Sequence, residues 1–101
     1  DPPGRPQAVD VQRDRCKIKY AAPRYDGGSS ITGYIIERKY KSSDNWYKVS
    51  GKDNPTDLEY TIDGLVEGSE MQFRVRAVNA EGLSDPSKPS DMIMIEDPFV
   101  K

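Results

Sequence analysis

Few residues in this chain have the types and spacing that chemistry requires. Gly27 and Gly28, within "PRYDGGSSITGYIIERK" at 23–39, could wrap a phosphate. A phosphate-cradling loop, however, closes on Lys-Ser/Thr and opens a helix, whose free N–H groups hold the anion. Here a β-branched, apolar run follows instead. The glycines read better as a turn, where they supply positive φ at no steric cost. "DNPTD" at 53–57 offers two carboxylates, Asp53 and Asp57, but it has a central proline and no closing glutamate. A calcium loop needs oxygens at alternating positions and that bidentate Glu, so a solvated loop is the better reading. "YKSSDN" at 40–45 could accept a phosphate from a kinase, and its composition equally suits a hairpin tip.

Histidine is absent, which removes the commonest general base and metal ligand and rules out a Ser-His-Asp or Cys-His arrangement within this sequence. Cys16 is the single cysteine, so no disulfide can form within the chain. Alternation points its thiol inward, where it acts as a small hydrophobe. Asn54 is followed by Pro55, which blocks the nearest match to a glycosylation sequon. Both absences lean towards a reducing, cytosolic setting. The 15 basic and 17 acidic residues leave a net charge of −2, with a pI near 5.1. Nucleic acid and anionic membranes demand a concentrated basic balance, and neither is expected as a partner. No apolar run approaches the roughly 20 residues that span a bilayer, and no signal peptide is recognisable, so a soluble domain is expected.

Placing these residues requires strands. Polarity alternates in "QAVDVQ" (7–12), "RCKIKY" (15–20), "ITGYIIERKY" (31–40), "NWYKVS" (45–50), "LEYTI" (58–62), "EMQFRVRAVN" (70–79) and "SDMIMIE" (90–96), with turn-forming clusters between them. Seven such segments predict an all-β, antiparallel two-sheet sandwich, each strand with one wet face. The expected core is Val9, Val11, Ile18, Tyr20, Tyr34, Ile36, Val49, Ile62, Leu65, Met71, Phe73, Val75 and Ala77. The proline-rich "DPPGRP" and the exit "EDPFVK" read as spacers, giving a linker at 1–5, a domain at 6–96 and a second linker at 97–101.

If Tyr34 and Ile36 are core, the third strand exposes Ile35, Glu37 and Lys39, and the sixth turns Arg74 and Arg76 to the same side. An exposed β-branched residue among charges can centre a binding patch. Cross-strand pairing of the arginines with Glu37 is the plainer use of the same residues. Trp46 cannot share a face with Tyr47 and Val49, so it either anchors a partner or covers the stems of Arg38 or Lys48.

"P-Q-A-V-D-V", "PRYDGGSSITGYIIERK", "L-V-E-G" and "F-R-V-R-A-V-N-A-E-G" resemble the fibronectin type III pattern over almost the whole chain. "DGGSSITGYIIE", "W-Y-K-V", "EGLSDPSKPS" and the "DPPG…DPF" flanks look like modules of the titin family, which includes titin, twitchin, projectin and myosin-binding protein C. That resemblance implies a seven-stranded sandwich repeated with immunoglobulin domains. It also implies a non-catalytic spacer and scaffold in muscle cytoplasm, on the A-band thick filament of the sarcomere, with myosin or neighbouring domains as partners and no cofactor. Parent chains of the family often carry a protein kinase domain, none of whose machinery is present here. The competing reading is a ligand-binding module of an adhesion protein or receptor. Against it stand the missing Arg-Gly-Asp tripeptide, cysteine pairs and Trp-Ser-x-Trp-Ser run.

Two positions depart from the family's pattern. Tyr20 stands where Trp is usual, and Met71 stands where a tyrosine hydroxyl usually ties the sixth strand back to its preceding loop. The lost hydrogen bond is worth about 0.5–1.5 kcal/mol, which leads to the expectation that Met71→Tyr raises the Tm.

Overall fold

The computed structural model describes residues 3–24, 28, 30–50 and 55–97. Among the described residues eight strands run in the order β1 (Gln7–Val11), β2 (Cys16–Lys19), β3 (Ile31–Tyr40), β4 (Tyr47–Lys48), β5 (Glu59–Ile62), β6 (Glu70–Asn79), β7 (Gly82–Leu83) and β8 (Ile93–Met94). All pairings are antiparallel. One sheet has the order β1-β2-β5, and the other has β4-β3-β6-β7 with β8 also on β6. The expected two-sheet sandwich is therefore present, and its described strands range from two to ten residues.

The β3–β6 ladder is the backbone of the larger sheet, running from Ile31 opposite Asn79 to Tyr40 opposite Met71. Along β6 burial alternates residue by residue, because successive side chains on a strand point to opposite faces. Met71, Phe73, Val75 and Ala77 therefore meet Tyr34 and Ile36 from β3 and Cys16, Ile18, Tyr20 and Ile62 from the facing sheet. Ile93, Ile95 and Leu65 complete this core. Side chains of this size contribute about 1.5–3 kcal/mol each when fully buried.

Four expectations need correction. Val9 is 53% exposed, because β1 carries a register shift between Ala8 and Asp10 that breaks the alternation on which its burial rested. Val11 and Val49 are only partly buried, packing against the rim of the core. The segment expected as a strand at 45–50 pairs only at Tyr47–Lys48, with Tyr47 53% exposed at the sheet edge. The one expected at 90–96 shrinks to Ile93–Met94.

A different device occupies the stretch before β8. Ser84, Ser87 and Ser90 donate backbone N–H bonds to the carbonyls of Ala77, Val75 and Phe73 at 2.9, 2.8 and 2.8 Å. Their hydroxyls accept the N–H groups of the same three β6 residues at 2.9, 3.0 and 2.9 Å. Three-residue spacing is the period of a polyproline II helix, and Pro86 and Pro89 sit just before two of the serines, where no N–H is needed. A period-two search passes over such a segment. Nearby, Gly68 (φ 91°) takes a conformation that favours glycine and donates to Ile95 at 2.7 Å.

The two ends of the domain lie far apart. Gly4 donates to Ala21 O at 2.9 Å, just past the last residue of β2, and Pro3 is buried. At the other end of β2, Leu65 donates to Asp14 O, and the same 63–69 loop holds Ile95 through Gly68 and Ser69. The chain thus enters at one end of the sandwich and leaves at the other, in a body 48 × 25 × 23 Å.

Candidate protein-docking face

The outer side of the β3–β6 ladder gathers the residues singled out in the sequence. Glu37 faces Arg74 across the ladder, and Ile35 faces Arg76, so one carboxylate lies directly opposite one arginine and diagonal to the other. Both guanidinium groups converge on Glu37 Oε1, Arg74 Nε at 2.7 Å and Arg76 Nε at 3.1 Å. The three side chains retain only 17–25% of their exposure. Arg76 also donates to Ser84 O at 3.2 Å, which fastens the cluster to the serine segment.

Trp46 lies on this side, with the Arg74 guanidinium 4.4 Å from its ring centroid. The sequence allowed for Trp46 covering a basic stem; the basic group is that of Arg74, rather than Arg38 or Lys48. Arg38 sits on the opposite side of β3, where its Nη1 donates to Tyr40 Oη at 2.9 Å and its head lies 4.1 Å from the Tyr40 ring centroid. Lys39 leans away from the cluster and donates to Ser43 O at 3.0 Å. Ile35, opposite Arg76, is half-buried.

The sequence named Lys48 only as a stem that Trp46 could cover, and not as part of this face. Lys48 stands opposite Glu37 in the β3–β4 register, which puts a third cation on this face without an ion pair to that carboxylate. The signal was available, because once Trp46 is placed outward, alternation puts Lys48 on its side.

The remaining candidates carry less. Cys16 has no exposed surface, and burial, helped by Asp10, pushes its thiol up to about 11. Burial also raises the Tyr20 and Tyr34 hydroxyls above their usual range. Tyr20 donates to Asp57 O at 2.7 Å and meets Tyr34 edge-on at 5.1 Å, filling the place of the usual Trp while tying β2 to the loop before β5. Gly28 has φ 87°, as a turn requires; Gly27 lies outside the described residues. So do Asp53 and Asn54 of the calcium candidate, and among the described residues no group of three His, Cys, Asp or Glu could hold a metal. Ser43 shapes its turn, donating its N–H to Tyr40 O and accepting from Asn45 N.

Comparison with known proteins agrees with this architecture. The family model described as fibronectin type III domain matches residues 1–93. Human slow-type myosin-binding protein C is 41% identical over 90 residues, covering 89% of this chain and 8% of that protein. The chicken cardiac-type protein is 37% identical over 94 residues, covering 93% and 7%. The chain therefore spans less than a tenth of the length of these relatives. A solved titin module from human cardiac muscle superposes with a TM-score of 0.89 at 39% identity, over 100% of this chain and 97% of that one. A titin fragment of several domains gives 0.87 at 36%, over 96% and 32%.

Proposed function

The chain belongs to the fibronectin type III family, and from that premise we propose that it is a non-catalytic, length-setting and load-bearing module of a titin-like protein of the muscle thick filament. The observation that carries this reading is the entry of the chain at one end of a 48 Å body and its exit at the other. Copies joined in series then add length, and tension on the two ends runs through the whole sandwich. The identity to titin and myosin-binding protein C modules supports a place in the sarcomere.

The second part of the proposal is a docking role for the face built from Ile35, Glu37, Lys39, Trp46, Arg74 and Arg76. The likeness of the chain to myosin-binding protein C makes myosin the first partner to try. Capture of myosin fragments on the immobilised domain tests this, repeated with Arg74→Glu and Arg76→Glu together. The reading expects capture by the parent domain and its loss in the double variant; undiminished capture excludes this face.

A further inference from the structure

We propose that the outer face of the β3–β6 ladder selects an acidic protein segment in extended conformation, with carboxylates on alternate residues. The inference rests on the reading of this face as a docking surface and adds the chemistry of what docks.

Charge distribution is the first argument. On this face and at its lower rim stand Lys39, Lys41, Lys48, Arg74 and Arg76, against Glu37, Glu70 and Asp44, the last in the same turn as Lys41. Five cations against three carboxylates leave a surplus of two, in a chain whose net charge is −2. The rest of the chain therefore carries a surplus of four acids, so the positive potential belongs to this face and not to the domain at large. Such segregation steers an acidic partner to one surface and repels it from the others.

Donor geometry is the second. Glu37 Oε1 takes both Nε donors, which leaves the two terminal amino groups of Arg74 without a hydrogen bond to any described residue. The Trp46 ring, its centroid 4.4 Å from the Arg74 guanidinium carbon, helps to hold that group in place, and the terminal amino groups stay available to a planar carboxylate. Lys48 makes no hydrogen bond or ion pair with any described residue and is exposed. Arg74 and Arg76 sit two residues apart on one strand, a repeat of about 6.7 Å. An extended peptide repeats its own side chains at the same interval, so glutamates on alternate residues meet successive arginines. Ile35 and Trp46 offer apolar contact beside the charges.

The test uses a dye-labelled decapeptide of alternating Glu and Thr. One control alternates Lys and Thr; the other, a blocked peptide, has the composition of the first with every glutamate placed before every threonine. Binding is followed by fluorescence anisotropy at low ionic strength, where exposed charges are least screened. Trp46 is the single tryptophan, so its emission gives a second readout confined to this face. The alternating glutamate peptide is expected to bind most tightly and to shift that emission. Arg74→Gln, Arg76→Gln and the surface variant Lys48→Gln are each expected to weaken it severalfold, to about tenfold for the arginines. Glu37→Gln, which releases both guanidinium groups, should tighten it. Lys17→Gln with Lys19→Gln, which removes charge from the other sheet, should leave it unchanged. Lys48→Gln decides the matter even if an arginine variant misfolds.

Equal weakening by the Lys17 and Lys19 pair, equal affinity for the blocked peptide, or wild-type affinity of Lys48→Gln would overturn the proposal. Myosin capture that depends on Arg74 and Arg76, without binding of the alternating peptide, would also overturn it and leave the docking role standing.

Discussion

Cys16 and Met71 show how burial decides what a single residue does. A thiol with no exposed surface, raised from 9.0 to about 11 chiefly by burial, is held protonated and unreactive. Its folded-state value lies above its unfolded one, so its contribution to stability is complete below about pH 9 and is lost as pH rises through 11. The Tm of the parent domain is expected to fall over that window, and Cys16→Ala should flatten the decline. An identical slope in the two proteins would acquit the thiol. Met71 is also wholly enclosed, which reverses the expectation drawn from the family pattern. A larger ring there overpacks the core at about 1–3 kcal/mol, more than the 0.5–1.5 kcal/mol returned by one hydrogen bond. Met71→Tyr is thus expected to lower the Tm, and a rise would show that the neighbours yield to the ring. Sequence alone identified Met71 as a core residue, but not how tightly its surroundings close.

β3 and β6 were legible to the residue, at 31–40 and 70–79. Burial alternates strictly along β6, and β3 follows it in regular register from Gly33 to Tyr40, after a shift between Ile31 and Gly33. Their outward residues, and hence the Glu37–Arg74 pairing, follow from the same alternation. Legibility failed where another geometry intervened. A register shift in β1 exposed Val9, and the serine segment at 84–90 obeys a three-residue period. There, hydroxyls stand in for backbone carbonyls, and Ser50 does the same for Ile36 N at 3.3 Å on the opposite edge of the sheet. Ser87→Ala strips the buried Val75 N–H of its acceptor, at about 1–3 kcal/mol. For a domain of this size that lowers the Tm by about 4 °C or more, whereas exposed Ser42→Ala should stay within about 0.5 kcal/mol of the parent. Thermal melts of the two variants check this, and equal effects would deny the hydroxyl its role.

At the scale of the whole molecule, the proposed length-setting role rests on the separation of entry and exit. Fully extended, 101 residues reach on the order of 340 Å, so each unfolding event releases on the order of 290 Å beyond the folded 48 Å. The serine segment and the long β3–β6 ladder bind the exit side of the chain into the larger sheet, while β1 secures the entry side to the smaller one. Pulling on the ends therefore loads both layers at once. Single-molecule stretching of a tandem array of this domain tests the load-bearing claim most directly. Abrupt force peaks, each followed by an extension on the order of 290 Å, are the predicted result. Smooth lengthening at low force, without discrete steps, would contradict it.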